Sequence, residues 1–246
     1  MSTPKAAVVL AAGKGKRMKS DLPKVLHEIH GRPMICFLLD TLIDMKFDHV
    51  VLVIGHKADL VREALVDYPV RFVLQEKQLG TGHAVGMARP ELADFEGTTL
   101  VAAGDVPFLS RRSIQELLDV HARTKAAATC LSAIFGDPTG YGRILRKPCT
   151  DFLQAIVEHK DASPDELKIR EVNTGTFCFD NQLLFGAIDQ IGCNNSQQEY
   201  YLTDAVQILN SQGHPVSVVK AANPDEVLGV NSVEQLAYLA GKFAPR

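Results

Sequence analysis

Hydrophobic positions along the chain follow two spacings, and these predict the order of strands and helices. Short, nearly continuous apolar runs are typical of strands buried on both faces of a parallel sheet. They occupy residues 6–12, 50–54, 70–74, 98–103 and 126–135. Amphipathic helical patterns separate these runs, over residues 33–45, 58–65, a segment from about 83, and 110–124. The alternation predicts an α/β fold, a Rossmann-like and mostly parallel sheet with helices on both faces.

The pattern changes after residue 135. A turn-rich segment, 137–143, precedes short alternating strands at 143–146 and 152–157, and 171–179 forms another strand pattern. We therefore predict a small antiparallel lobe over the sheet edge. A helix through Leu209, a strand at 216–219 and a last helix from 232 follow.

No repeat or long linker interrupts the chain, so we predict one domain over 1–246. Its predicted parts are a core at about 5–135, the lobe with returning core elements at about 136–231, and a C-terminal helix at 232–246.

Composition narrows the class of protein. The chain has 246 residues, of which 46% are hydrophobic, which suits one large α/β domain or one domain with a small lobe. A formal net charge of −3 argues against nucleic acid as the main partner. The 5 cysteines are scattered without a Cys-x-x-Cys pair, as is typical of reduced thiols rather than a disulfide framework or a zinc site. With no signal-peptide pattern and no apolar run of about 20 residues, we expect a cytoplasmic protein without a membrane partner.

The loop after the first strand carries the first candidate chemistry. The apolar run breaks at Gly13 and Gly15, where glycine tolerates positive φ or close backbone approach. Five cations crowd the loop against Asp21: Lys14, Lys16, Arg17, Lys19 and Lys24. Backbone N–H groups of a glycine loop bind anions, and cations neutralise them. The loop therefore predicts a triphosphate site.

Two commoner loops are excluded, because Met18 stands where a P-loop needs its second glycine and a dinucleotide fingerprint its last. A solvated basic loop after an edge strand is the alternative.

Polar residues also follow two other predicted strands. Ligands of such sheets lie outside the carboxyl ends of the strands, which places Gly13, Gln75 and Asp105 along one edge. Gln75 offers the donor and acceptor that a uracil edge requires, although a polar loop before a helix is the alternative; we assign His83 no catalytic role. Asp105 is predicted to bind Mg²⁺, because a carboxylate at a strand tip is costly unless it holds a cation or caps a turn. The capping alternative would place Asp105 before the turn at Pro107.

The predicted lobe carries two further candidates. Glu158 and Asn173 present groups suited to sugar hydroxyls and an acetamide. A solvated charge run including Lys160 and Asp161 is the alternative for Glu158.

Ten motifs, in order, resemble one family. They are 10–18 (Leu-Ala-Ala-Gly-Lys-Gly-Lys-Arg-Met), 22–26, Gln75, 78–84, 104–107, 138–143, 157–161, 173–175, 199–204 and 229–231. Together they resemble the pyrophosphorylase half of the bacterial bifunctional N-acetylglucosamine-1-phosphate uridyltransferases, which are sugar-1-phosphate nucleotidyltransferases. The resemblance runs from about residue 6 to the final helix and implies the nucleotide-diphospho-sugar transferase fold, with the lobe binding the sugar.

The resemblance also implies an activity: Mg²⁺-dependent transfer of UMP from UTP to N-acetylglucosamine 1-phosphate, giving UDP-N-acetylglucosamine and pyrophosphate for cell-envelope synthesis. By position, the residues expected to hold the nucleotide are Leu10, Ala11, Ala12, Gly13, Lys24, Gln75, Gly80, Thr81, Ala103 and Gly104. Those expected to hold the sugar phosphate are Gly142, Glu158, Asn173 and Asn231. Arg17 and Lys24 would act on the phosphates as catalytic residues, and Asp105 and Asn231 would bind Mg²⁺. We expect the charge of Lys24 to meet only ligand.

The chain departs from this family in two places. Ala103 stands where many members have an aromatic residue, which removes any side-chain contact to the nucleotide there. The bifunctional proteins continue into a β-helix with acetyltransferase activity, whereas this sequence ends at Arg246, so we expect no acetyltransferase activity from it. A related enzyme for another sugar or base and a non-catalytic nucleotide-binding module are the alternative functions.

Overall fold

Eleven strands and eight α-helices are found in the computed structural model, which describes residues 3–243 apart from the side chain of Lys16. The strands are β1 (Lys5–Ala11), β2 (Glu28–Ile29), β3 (Arg32–Pro33), β4 (His49–Ile54), β5 (Arg71–Leu74), β6 (Thr98–Ala103), β7 (Ala128–Ile134), β8 (Arg143–Arg146), β9 (Leu153–Val157), β10 (Glu171–Asp180) and β11 (Val216–Lys220). The helices are α1 (Met34–Asp44), α2 (Ala58–Ala64), α3 (Thr81–Met87), α4 (Arg89–Leu92), α5 (Arg111–Thr124), α6 (Asn181–Ile188), α7 (Asp204–Ser211) and α8 (Val233–Lys242).

The central sheet has the strand order β11-β7-β10-β6-β1-β4-β5. Strand β1 is parallel to both of its neighbours, and its residue Leu10 is in register with Val53 of β4 and Ala103 of β6. Because these strands end at the same level, the loops after β1, β5 and β6 open at one edge of the sheet.

Both faces of this sheet are buried. Ala7 and Val9 of β1 face a core with α1 and α5, while Ala6 and Val8 face a second core with α3, α6 and α7. A third cluster, which we call the C-terminal cluster, joins α8 to the loop after β1 and to α1; its buried members are Met18, Ile29, Met34, Phe37, Phe108, Val230 and Leu239. The predicted α/β fold with a mostly parallel sheet is therefore confirmed.

The lobe differs from its prediction in one strand. Of the strands predicted for the lobe, β8 and β9 form a hairpin outside the main order, attached through β10, whose Val172 pairs with Arg143. Strand β10 itself lies between β6 and β7, antiparallel to both, so it is part of the central sheet and not of a separate lobe. The pairing of β10 with β7 is interrupted by a bulge between Asn173 and Thr176, where Gly175 takes a φ of +76°.

Some of the helices also differ from their predictions. Helix α6, which the sequence analysis missed, begins at Asn181 after an N-cap at Asp180, whose carboxylate accepts from the amides of residues 182 and 183. Helix α3 begins at Thr81, two residues before the predicted start. Helix α8 ends at Lys242, and residues 244–246 of the predicted C-terminal helix lie outside the described part.

Two general features bear on the environment of the protein. All five cysteines are free thiols; Cys36, Cys130 and Cys178 are buried, and Cys149 and Cys193 are exposed. Between residues 3 and 243, no helix combines the length and the apolar character needed to cross a membrane.

Candidate active site

A cavity of about 280 Å³ opens at the carboxyl ends of the parallel strands. Its lining includes nine of the ten residues expected to hold the nucleotide, namely Leu10, Ala11, Ala12, Gly13, Lys24, Gln75, Gly80, Thr81 and Ala103, and it includes Asp105. The tenth, Gly104, does not line it, and its amide donates to the Leu10 carbonyl at 2.8 Å. We call this space the nucleotide cavity. Strand β1 lies between β6 and β4 inside the sheet, so the basic loop does not follow an edge strand, as the alternative assumed.

Four predicted residues meet at one end of the nucleotide cavity. The ammonium of Lys24 forms an ion pair with Asp105 Oδ2 and donates to Asn231 Oδ1 at 2.7 Å. Arg17 donates to the same Asn231 oxygen at 2.8 Å. These four side chains are the phosphate cluster. The expectation that the charge of Lys24 meets only ligand is wrong, because Asp105 and Asn231 hold it in this structure.

Tertiary contacts of the two loops explain this convergence. Met18, the residue that excluded a P-loop, is 2% exposed and packs in the C-terminal cluster, which anchors the loop carrying Arg17. Val230 packs in the same cluster, and its amide donates to the Asp105 carbonyl at 2.8 Å. Asn231 is therefore held beside Asp105 by backbone contacts that are independent of its own side chain.

The oxygens of Asp105 and Asn231 suit a magnesium ion. One ammonium group, that of Lys24, contacts Asp105 Oδ2 and Asn231 Oδ1 together, so the two oxygens already converge on a single cation. Carboxylate and amide oxygens are hard ligands of the kind that Mg²⁺ binds together with phosphate oxygens and water. Residues 3–243 contain no group of three or more His, Cys, Asp or Glu side chains able to hold a metal. The residues present thus fit a site that substrate completes. The Asp105 carboxylate does not cap a turn in any described hydrogen bond, which leaves the capping alternative without support.

The two glycines of the basic loop, Gly13 and Gly15, differ in whether the surrounding protein leaves room for a side chain. Gly15 has a φ of +59°, and a Cβ there would lie 2.7 Å from the Cβ of Lys24. Glycine at 15 therefore lets the chain pass close to Lys24. At Gly13 a Cβ would meet no protein atom within 4 Å, so the protein itself does not require glycine there.

The loop after β5 shapes the other end of the nucleotide cavity. Gly80 has a φ of +117°, and a Cβ there would lie 2.5 Å from the Tyr200 carbonyl oxygen. The amide of Gly82 donates to that carbonyl at 2.8 Å, and the amide of Leu202 donates to Thr81 Oγ1 at 3.0 Å. The segment before α7 therefore holds this loop in place and occupies one lone pair of the Thr81 hydroxyl.

Gln75 is almost fully buried behind the cavity, with 2% of its surface exposed. Its backbone amide donates to the Ile54 carbonyl at 2.8 Å, which places it at the strand ends. Its side-chain Nε2 contacts the Gly80 carbonyl at 3.2 Å and His83 Nδ1 at 2.8 Å. The donor side of the amide is thus used within the protein, whereas the sequence analysis expected donor and acceptor to face the base together.

The three sugar residues that the sequence analysis placed in the predicted lobe lie close together. A Cβ on Gly142 would lie 3.3 Å from Glu158 Oε1, and the Gly142 carbonyl accepts from the Asn173 amide at 2.8 Å. Asn173 Oδ1 accepts from the Gly175 amide at 2.9 Å, and no hydrogen bond within residues 3–243 uses the Nδ2 group of Asn173.

Glu158 is not part of a solvated charge run. Its carboxylate accepts a hydrogen bond from the Thr203 hydroxyl at 3.0 Å. Burial raises the pKa of Glu158, the charges of Asp204 and Asp161 raise it further, and the bond from Thr203 opposes them. Lys160 and Asp161, its neighbours in sequence, are exposed.

Four residues that line the nucleotide cavity were not predicted as site residues: Val25, Gln78, Ala84 and Glu199. All four lie within the motifs 22–26, 78–84 and 199–204, so the motifs themselves carried a signal. A larger open groove of about 580 Å³ lies beside β11 and α5, and none of the predicted site residues lines it.

The fold is that of an NTP transferase domain. Residues 7–168 match the MobA-like NTP transferase domain, and the chain belongs to that family. The protein from Brevibacillus brevis called Bifunctional protein GlmU is 50% identical over 231 residues, which are 94% of this chain and 50% of that protein. The proteins of the same name from Halalkalibacterium halodurans and Bacillus subtilis are 48% and 47% identical, over 94% and 92% of this chain and 50% and 49% of their own lengths.

The chain therefore spans about half the length of the curated relatives it matches. A crystal structure of UDP-glucose pyrophosphorylase complexed with UDP-glucose superposes with a TM-score of 0.76, over 97% of this chain and 98% of that one. Its sequence identity of 15% makes this a likeness of fold alone.

Proposed function

We propose that the chain catalyses the Mg²⁺-dependent transfer of UMP from UTP to N-acetylglucosamine 1-phosphate, releasing pyrophosphate and UDP-N-acetylglucosamine. One observation carries the proposal: Arg17, Lys24, Asp105 and Asn231 meet at one end of a cavity lined by the residues expected to hold uridine. The similarity to the GlmU proteins and the chain's place among NTP transferases support it.

The proposed reaction is a displacement at phosphorus. An oxygen of the sugar phosphate attacks the α-phosphorus of UTP in line, and the bond from that phosphorus to the pyrophosphate oxygen breaks. A phosphate nucleophile is ionised at neutral pH, so no side chain has to remove a proton. Positioning and charge stabilisation are then the protein's main contributions. Asp105 and Asn231 would hold Mg²⁺, which would supply positive charge that offsets the repulsion between the phosphates of the two substrates.

Within the phosphate cluster, Arg17 and Lys24 have related tasks. The planar guanidinium of Arg17 carries five N–H donors, so its bond to Asn231 leaves others for phosphate oxygens. The ammonium of Lys24 donates hydrogen bonds to Asp105 and Asn231, and it can instead donate to an α- or β-phosphate oxygen when nucleotide is bound. Both cations are held in place before the charge on the leaving group develops, which is the arrangement that lowers a barrier most.

Glu158 and Asn173 are proposed to select the sugar. The carboxylate of Glu158 is suited to accept from sugar hydroxyls, and the free Nδ2 group of Asn173 is suited to donate to the acetamide carbonyl. The free thiols at all five cysteines support a cytoplasmic location.

The test is pyrophosphate release by the purified chain with UTP, CTP, GTP or ATP against several sugar 1-phosphates, with and without Mg²⁺. We expect release with UTP and N-acetylglucosamine 1-phosphate, and little with the other pairs. Lys24→Ala protein prepared in parallel controls for contaminating activity. Turnover of another pair at a higher kcat/KM would refute the substrate assignment, and nucleotide binding without any turnover would indicate a binding module.

A further inference from the structure

The orientation of the Gln75 side-chain amide follows from its neighbours. A carbonyl oxygen only accepts hydrogen bonds, so the group 3.2 Å from the Gly80 carbonyl is the NH₂ and not the oxygen. The same NH₂ lies 2.8 Å from His83 Nδ1 and donates to it. Both N–H groups are then used, while Oε1 receives no hydrogen bond from the described residues. Since Gln75 lines the nucleotide cavity, this oxygen is the part of the amide left for a base.

His83 takes part in this arrangement as an acceptor. An amide N–H can donate to Nδ1 only if that nitrogen carries no proton, so the contact assigns the ring proton to Nε2. His83 belongs to the first turn of α3 and does not line the nucleotide cavity. It lines a separate shallow depression with residues such as Leu74, Leu79 and Met87. It therefore contacts Gln75 from outside the binding space and is not placed to touch the nucleotide.

We infer that His83 is a specificity-determining positioning residue, which holds the Gln75 oxygen toward the base and so selects a pyrimidine with an N–H at its third ring position. Uracil has this N–H, whereas cytosine has a lone pair there. An oxygen facing uracil accepts a hydrogen bond, but the same oxygen facing cytosine opposes another acceptor. The inference deepens the proposed function and rests on it, because it takes UTP as the nucleotide.

The two acceptors on the Gln75 NH₂ explain why His83 matters for selectivity. Turning the amide over would place Oε1 against the Gly80 carbonyl and the His83 lone pair, and would present an NH₂ that cytosine accepts. Without the His83 acceptor, only the longer contact to Gly80 opposes this rotation. Loss of one such neutral hydrogen bond changes an equilibrium by roughly fivefold to tenfold. We expect the preference for UTP over CTP to fall by about that factor.

The experiment compares three substitutions at this position. His83→Leu removes the acceptor and keeps an apolar side chain of moderate size. His83→Asn places an amide oxygen near the position of Nδ1, while His83→Gln places one near the position of Nε2, away from Gln75. Lys77→Ala, an exposed position in the same loop, is the control. For each protein, kcat/KM is measured with UTP and with CTP, and binding of each nucleotide is measured by calorimetry.

We expect the UTP-to-CTP ratio to fall about fivefold to tenfold in His83→Leu and His83→Gln, to recover in His83→Asn, and to stay unchanged in Lys77→Ala. Equal losses for both nucleotides, with the ratio preserved in every variant, would overturn the inference and leave His83 a packing role. If His83→Leu does not fold, the comparison of His83→Asn with His83→Gln alone tests the inference, because both variants carry an amide and differ in where its oxygen lies. A wild-type chain without a preference for UTP refutes the proposed function itself, and is seen before any variant is compared.

Discussion

Replacing Asp105 by asparagine tests the phosphate cluster most directly. Asp105 is the one anion among its four side chains, and its side chain is 18% exposed. Asp105→Asn keeps the shape but leaves Arg17 and Lys24 as two cations without a compensating charge. A metal ion would then face a cluster whose formal charge has risen from +1 to +2, because one negative charge has been removed from two positive ones and one negative one.

The magnitude follows from simple electrostatics. One pair of unit charges about 4 Å apart is worth about 1 kcal/mol in water and about 4 kcal/mol at the effective dielectric of a protein surface. For a partly exposed carboxylate and a divalent ion we expect a loss of about 2–4 kcal/mol, or roughly 30- to 1,000-fold in Mg²⁺ affinity. Asn231→Ala removes a neutral oxygen from the site and costs about 1.5 kcal/mol, roughly tenfold.

The assay is the initial rate of pyrophosphate release against Mg²⁺ concentration, at saturating UTP and sugar phosphate. We expect Asp105→Asn to be the more severe change and excess Mg²⁺ to restore much of the rate of Asn231→Ala. Asp67→Asn, which removes one negative charge at an exposed position after α2, is the matched control. Wild-type Mg²⁺ dependence in Asp105→Asn would refute the assignment of this carboxylate to the metal.

Three further predictions follow from the same structure. Lys24→Ala should lower kcat/KM by about 10²- to 10³-fold, as for a lost donor in a preorganised site, and near-normal turnover would remove Lys24 from the mechanism. Gly80→Ala should destabilise the fold and weaken UTP binding, since its Cβ would lie 2.5 Å from the Tyr200 carbonyl, and an unchanged melting temperature contradicts this. Thr203→Val should raise the pKa of Glu158 further, because it removes a hydrogen bond that favours the charged carboxylate. The KM for the sugar phosphate should then begin to rise at a higher pH than in wild type as the solution is acidified, and coincident pH profiles would exclude a role for this pair.

Local patterns in the sequence determined the parallel sheet and the edge at which the candidate site lies. Apolar runs separated by amphipathic segments predict the parallel sheet, because a strand buried on both faces is mostly apolar. Since parallel strands end at a common edge, the position of Gly13, Gln75 and Asp105 after their strands predicts that they share a site. The structure places all three on one cavity.

Other features depend on contacts between distant parts of the chain. Strand β10 pairs with β6 and β7 in the central sheet, yet its residues alternate like those of a lobe strand, so pairing partners decided its place. Lys24 and Asn231 are 207 positions apart and meet because the C-terminal cluster brings their loops together.

The orientation of Gln75 is a similar case at the level of one side chain. The sequence shows that an amide follows β5, and an amide has both a donor and an acceptor. Which of the two faces the cavity depends on the Gly80 carbonyl and on His83, which reach Gln75 only after α3 has packed against the sheet. Residue type thus determined which chemical groups are available at each position. The tertiary structure decided which way each side-chain group points, because hydrogen bonds depend on where their partners lie in space.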